Sequence, residues 1–382
     1  MIQPWIRVGG AEILSLELAA ELERRGHEVR IAALFVDAAG LPDIVHERRY
    51  LLPPPWLAGR FAKSRTLSFV LGPFVMLALV ALGSGATDLL DPHNLPGPVV
   101  AGLIGPLRRI PVVWNLNEVP VALPREQAVR LGWVERSVWI FGAVLSRWAA
   151  RVPYAVVVLD EKTRRSVREH YGLEAVVAMP GVRMDSFSRA ERPVRTTNAP
   201  VQLLAVGKLH PQKNLGLAIE TAAELRDRGH RVQLTIVGSG PQRQELGLLV
   251  ERLALSEAVR FVAGLSTAEL ADRYAAADIL LVTPTGHQAW GLTPFEGIAA
   301  GVPSIVSDEA GASEILAARD AAFVVRPDRT AFADAAERLL VDPARSATLI
   351  ENGRALLREE LTWSRYADRC ERVFREALGR RA

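Results

Sequence analysis

A single cysteine, Cys370, rules out an internal disulfide and a cysteine-built zinc site, which fits a reducing compartment. No Asp-x-Asp pair occurs anywhere, so no metal clamp of that type is expected and no metal ligand is assigned. Met1–Gly10 carries no apolar core of signal-peptide length, and a cytoplasmic location is expected, peripheral at the inner face of a membrane. Neither an internal repeat nor a recognised nucleic-acid motif is present, so nucleic acid is set aside as a partner. With 49% hydrophobic and 23% charged residues, disorder and coiled coil are also excluded. Lysine is nearly missing: four of the 46 basic residues are Lys.

What is present reads as α/β. The 382 residues suffice for two domains of ordinary size. Short runs rich in Val, Ile and Leu, such as Val29–Phe35, Val112–Leu116, Ala155–Leu159, Leu203–Val206, Gln233–Val237 and Ile279–Val282, alternate with helical stretches. Continuously apolar strands between helices imply parallel sheets covered on both faces. The polar, proline-containing stretch Arg189–Val201 breaks the pattern and is read as a linker. Residues 1–189 then form a first Rossmann-like domain on the acceptor side, with a final helix within 363–382 packing back on it, and residues 201–362 form a second, donor-binding domain. A doubly wound domain normally opens with a strand leading into its glycine turn. Here the turn Val8-Gly9-Gly10 comes almost at once and Pro4 spoils Met1–Arg7 as a central strand, so the first strand is expected to be missing.

Charge is uneven. Between Arg48 and Arg168 there are 16 Lys+Arg against 7 Asp+Glu, which fits a solvated basic face or contact with an anionic membrane surface or acceptor. Thr66–Thr87 runs 22 residues without a charge, interrupted by Gly72-Pro73. Length alone would allow a membrane span. A span would separate Gly9 from His93, so a buried helix is the preferred reading and an interfacial helix the second.

Chemistry concentrates in two segments. In Gly286–Pro303, Gly291-Leu292 ends a loop and Thr293-Pro294-Phe295-Glu296 begins a helix with the form of a capping box. Glu296 either caps that helix or accepts ribose hydroxyls beside a diphosphate held at the helix end. Upstream, Gly207, Lys208 and Lys213 follow the strand Leu203–Val206, at a strand end where open α/β sheets bind ligands. Two of four lysines lie five residues apart in this loop, which favours phosphate binding over general surface charge. Gly238-x-Gly240 lacks the third glycine of a dinucleotide fingerprint, Arg243 standing there, which disfavours a dehydrogenase.

In order along the chain, Gly9-Gly10, Asp91-Pro92-His93-Asn94, Pro111-Val112-Val113 to Asn117-Glu118, Met179-Pro180-Gly181-Val182, Lys208/Lys213, Val237–Pro241, Glu296 and Gly301 to Glu314 resemble glycosyltransferase family 4. The resemblance implies the GT-B architecture, two Rossmann-like domains facing across a cleft, and a retaining, metal-independent transferase of hexosyl type. It implies that Gly9, Gly10, Gly207, Gly238, Gly291, Leu292, Thr293 and Glu296 bind the donor. Catalytic work would fall to His93, Lys208, Lys213 and Gln288, with Asn117 and Glu118 towards the acceptor. Two positions depart from the family: Gln288 where a glutamate is usual and Asn117 where a histidine is usual. Glutamine can hydrogen-bond sugar hydroxyls but brings no charge to an oxocarbenium.

The expected reaction is transfer from a nucleoside diphosphate sugar to an acceptor hydroxyl without a cofactor. The aromatic and basic residues Trp56, Arg60, Phe61, Lys63 and Arg65 beside the uncharged stretch favour a lipid-linked or cell-envelope acceptor, as in polysaccharide synthesis, over a glycan or small molecule. A non-catalytic nucleotide-sugar-binding subunit and a sugar-nucleotide epimerase remain as alternatives.

Overall fold

The computed structural model describes residues 1–7, 9–39, 41, 43–83, 85–117, 144–188, 199–286 and 290–379. Two compact units emerge, Met1–Pro180 with Trp363–Ala382, and Gly181–Thr362. The stretch 189–198, which holds most of the expected linker, lies outside the described residues.

The first unit is assembled from short parallel strands: β1 (Trp5–Ile6), β2 (Arg30–Ala32), β3 (Phe35–Val36), β4 (Arg49–Leu51), β5 (Val113–Leu116), β6 (Ala155–Val158) and β7 (Ala175–Val177). β2 pairs with β4, β1 with β3, and β5, β6 and β7 in series. Single bridges join them: Ile2 to Ala32, Ile2 to Pro92, and Leu90 to Val112. The order is therefore β4, β2, residues 1–6, residues 90–92, β5, β6, β7. Chain order reverses between residues 1–6 and 90–92.

The expectation of a missing first strand is thus corrected, because Met1–Ile6 fills that place. Pro4 still leaves its mark. On the 90–92 side the ladder runs Ile2 N–H to Asp91 O (2.8 Å) and His93 N–H to Ile2 O (3.1 Å). It then stops, since Pro4 has no N–H to give. On the other side Pro4 O still accepts from Leu34 N–H at 2.9 Å.

One face of this sheet carries the apolar core, with Ile2, Leu34, Leu90, Ile104 and Val112 packed against Phe61, Met76 and Val80. Toward the other face, helix Trp363–Gly379 packs on helix Gly10–Arg24 and on β5 and β6. Glu371 fastens that contact, bonding His27 Nε2 (2.9 Å), Arg25 Nη1 (3.0 Å) and Arg375 Nη2 (2.6 Å). These partners, His27 first, hold its carboxyl down at about 2 against the penalty of burial.

The uncharged stretch forms two helices, Arg65–Val70 and Gly72–Gly83, broken before Pro73. The buried-helix reading is only half right. Met76 and Val80 are buried, but Phe74 and Leu82 are 69% and 86% exposed. No helix among the described residues is long and apolar enough to cross a membrane.

The second unit has one continuous sheet: β8 (Val201–Val206), β9 (Val232–Val237), β10 (Val259–Val262), β11 (Ile279–Val282), β12 (Ser304–Ser307) and β13 (Phe323–Val325). The order is β10-β9-β8-β11-β12-β13, every pair parallel. β8 and β9 stay in register over six residues, from Val201 opposite Val232 to Val206 opposite Val237. Leu203, Ala205, Leu234, Ile236, Ile279 and Leu281 face a core completed by Leu217, Ala218 and Phe332 of the covering helices. The order reverses between β8 and β11.

Candidate functional site

In the second unit the loops after β8 and β11 flank the reversal point, where open α/β sheets bind ligands. The two loops are tied together: Thr283 Oγ1 donates to Lys213 O at 3.0 Å and Thr285 N–H to Gln212 O at 3.2 Å. A pocket opens there, lined by Lys213, Thr283, Trp290, Gly291, Thr293 and Pro294 among others. Lys213 is half-buried and Lys208 exposed. Gly207 leaves room for the Lys213 stem, whose Cγ and Cδ lie 3.4 Å from where a β-carbon would stand.

Glu296 is half-buried in the helix Thr293–Ala299. The capping-box expectation for it is corrected. Leu292 takes the N-cap place in helical conformation and no side chain caps the helix. Glu296 instead accepts the Tyr274 hydroxyl at 2.8 Å. Burial raises the Glu296 pKa, while the Tyr274 hydroxyl and the Lys213 charge pull it down. Tyr274 is fully buried, edge-on to Phe187 at 5.6 Å, and its own pKa is raised well above the usual value, by burial first and then by Glu296.

Gly238 and Gly240 serve backbone packing. A β-carbon on Gly238 (φ +149°) would sit 1.9 Å from Gly207 O, and one on Gly240 (φ +158°) 2.5 Å from Leu209 O. Only glycine admits this approach. The lysine loop is held in place by it, with Gly207 N–H on Val237 O (3.0 Å) and Leu209 N–H on Ser239 O (2.9 Å). Arg243 lies over the Phe261 ring at 3.9 Å.

In the first unit Gly9 precedes the helix beginning at Gly10, and the Glu12 carboxylate folds against it, 2.3 Å from where a Gly9 β-carbon would stand. That acid complements the positive end of its own helix. His93 and Asn117 are buried at 1% and 5% exposure, at the ends of residues 90–92 and β5. His93 Nε2 bonds Asp91 Oδ2 at 3.1 Å. Gln288 and Glu118 lie outside the described residues. Sequence reasoning missed Tyr274 and Thr283. Only full burial distinguishes Tyr274, and no motif reports it.

No group of three or more His, Cys, Asp or Glu able to hold a metal occurs among the described residues. Two parallel doubly wound sheets, one with a charged pocket at its reversal point, define a GT-B glycosyltransferase architecture. The Anabaena protein HepE, solved with UDP and glucose, shares this fold at a TM-score of 0.76 over 98% of both chains, with 15% identity.

Two family models match in succession, Glycosyltransferase Family 4 over residues 8–185 and Glycosyl transferases group 1 over residues 188–356. The chain belongs to glycosyltransferase family 4. It is 25% identical to a phosphatidyl-myo-inositol mannosyltransferase of Mycobacterium leprae over 370 residues, 96% of this chain and 92% of the other. It is 28% identical to the alpha-D-kanosaminyltransferase of Streptomyces kanamyceticus over 242 residues, which is 60% of this chain and 62% of that relative.

Proposed function

We propose that the protein transfers a hexosyl group from a nucleoside diphosphate sugar to a hydroxyl of a lipid-linked acceptor at a membrane face, with retention and without a metal. The observation that carries the donor half is the pocket at the reversal point of the second sheet, lined by Lys213 and by Thr293 at the start of the helix that carries Glu296. An ammonium there suits a diphosphate, and a carboxylate there suits a ribose diol. Lys208, exposed in the same loop, adds a second cation that meets charge building on the leaving diphosphate. Retention follows if the acceptor attacks from the leaving-group side with the diphosphate as its base. Gly207, Gly238 and Gly291 shape the loops, and Leu292 and Thr293 begin the helix that carries Glu296.

The acceptor half rests on the first unit's surface. Trp56 is 65% exposed with Arg60 over its ring at 5.8 Å, and the neighbouring helix Gly72–Gly83 exposes Phe74 and Leu82 with no charged residue. Apolar side chains beside Arg60 and Lys63 match an anionic bilayer surface. Phe61, grouped with these residues by sequence, is buried and supports the helix from beneath. The relative named for phosphatidyl-myo-inositol is in keeping with such an acceptor.

Calorimetry with UDP, GDP and ADP tests the donor half. Lys213→Ala and Lys208→Ala are each expected to weaken the preferred nucleotide by about 1.5–3 kcal/mol, the range for charged hydrogen bonds. Unchanged affinity in both variants overturns it.

A further inference from the structure

The pocket at the reversal point of the second sheet has Trp290 in its wall, 2% exposed, and the indole Nε1 finds no acceptor among the described residues. A buried N–H left unpaired destabilises a fold, and native proteins keep few of them. The second unit's other orphaned atom among the described residues, an oxygen of Glu360, belongs to a carboxylate that is ion-paired to Arg319. Trp290 has no such compensation. Its ring is nonetheless held firmly, stacked on the fully buried Phe295 with centroids 4.9 Å apart and planes 17° from parallel. A flat side chain pinned on one face keeps its N–H in one direction.

The chemistry of the missing partner is narrow. An indole N–H only donates, so its partner is an acceptor. The polar side chains that share the pocket wall are Lys213, Thr283 and Thr293, and no Asp or Glu is among the residues that line it. Thr283 spends its proton on Lys213 O at 3.0 Å. A neutral carbonyl could take the indole proton but would gain little from an ammonium in the same pocket. An oxyanion gains from both, because a hydrogen bond to a charged acceptor is shorter and stronger than one between neutral groups.

We propose that Trp290 binds the donor's diphosphate, its Nε1–H donating to a phosphate oxygen in the pocket it shares with Lys213. Lys213 brings a point charge on a flexible stem. Trp290 brings direction without charge, so it fixes how the phosphate is turned rather than how strongly an anion is attracted. This contact deepens the transferase reading above and rests on it for the identity of the ligand as a nucleoside diphosphate sugar.

Two measurements on the full chain test it. The first is nitrogen-15 NMR of the indole N–H groups, eight in number, with the Trp290 signal assigned by its absence from Trp290→Phe. That signal should move downfield with UDP, GDP or ADP, whichever binds, and with inorganic pyrophosphate. Uridine, guanosine and adenosine should leave it in place. The second is calorimetry on Trp290→Phe, which keeps a ring to stack on Phe295 and removes the N–H alone. Its melting temperature should be unchanged or raised, since an orphaned donor is gone. Its affinity for the preferred diphosphate should fall at least about tenfold, the loss of one charge-assisted hydrogen bond.

A Trp290→Phe variant that binds the diphosphate as wild type does overturns the proposal. So does a Trp290 signal that ignores every phosphate-bearing probe, or one that follows the bare nucleosides equally. The wild-type NMR arm decides the matter even if the variant folds poorly. Wild type that binds a nucleoside diphosphate while Trp290 stays silent removes this contact and leaves the donor-site reading standing. Wild type that binds none of the three nucleotides sinks that reading, and inorganic pyrophosphate then decides separately whether Trp290 meets a phosphate at all.

Discussion

The two sheets share a strand order but are built by opposite means. In the second unit β8 and β9 pair without interruption over six residues, and glycines at 238 and 240 let two loop backbones touch. In the first, strands of two to four residues are joined through single bridges. Orphaned buried side-chain atoms divide the same way. Among the described residues eight belong to the first unit; the second has Trp290 Nε1 and an oxygen of Glu360, which is ion-paired to Arg319. A continuous ladder satisfies its own backbone and leaves the side chains free to be apolar. A broken ladder with amides inside gives up stability.

That contrast can be broken most forcefully at a glycine. Gly238→Ala puts a β-carbon on Gly207 O in a conformation that L-residues avoid, and should destabilise the second unit by about 3–5 kcal/mol. Gly172→Ala in the first unit (φ +66°) has open space around it and should cost only about 1 kcal/mol. Denaturant melts of both variants decide it, and equal losses would erase the difference in how the units use glycine.

The next effect concerns how the first unit is closed. Glu371 has its pKa depressed to about 2 by His27, Arg25 and Arg375, so its contribution is present above the ordinary glutamate range and is lost as pH falls towards 2. Glu371→Gln should cost roughly 2–3 kcal/mol at pH 7, and the gap to wild type should close on acidification. A gap that persists at pH 2.5 would assign the loss to packing instead.

Much of this was legible in the sequence, and the failures are instructive. The apolar runs at 203–206, 233–237 and 279–282 became β8, β9 and β11 because strands buried on both faces must be continuously apolar. Met1–Ile6 was misjudged because Pro4 argues against a strand, yet proline forfeits only one ladder bond and Ile2 pairs on both sides. The Thr293–Glu296 pattern was read as a capping box, while the equivalent Ser266–Glu269 forms one, with Glu269 Oε2 accepting from Ser266 N–H at 2.7 Å. What separates them is Tyr274, a tertiary partner that local spacing cannot report. That Gln3, His93 and Asn115 lie side by side was invisible for the same reason, since register across three strands is not written in any one of them.

Glu296 offers a smaller effect with a defined sign. Its folded pKa is raised, so the folded state holds a proton more tightly than the unfolded one, and stability is lost as pH rises through the folded value. Glu296→Gln should therefore be as stable as wild type or more so at pH 7, with the difference fading below the ordinary glutamate range. Nucleotide binding should weaken all the same. A variant that melts earlier yet binds UDP or GDP unchanged would make Glu296 a structural partner of Tyr274 alone.

The smallest expected effect on the fold tests the exposed surface of the first unit. Phe74 and Leu82 stand at 69% and 86% exposure, so burial contributes little to holding them in place. Phe74→Ser with Leu82→Ser should shift stability by no more than about 0.5 kcal/mol. If the face docks on a bilayer, the same pair should sharply reduce co-sedimentation with phosphatidylglycerol vesicles, since the apolar area entering the interface drives such binding together with charge. Arg60→Gln with Lys63→Gln should weaken it further in dilute salt and matter less at high salt, because screening removes the lipid's attraction. Phosphatidylcholine vesicles separate the contributions, with the apolar pair mattering on both lipids and the cationic pair only on the anionic one. Wild-type protein that ignores both lipids, or a serine pair that binds them undiminished, would remove the membrane from the acceptor reading and leave a soluble acceptor.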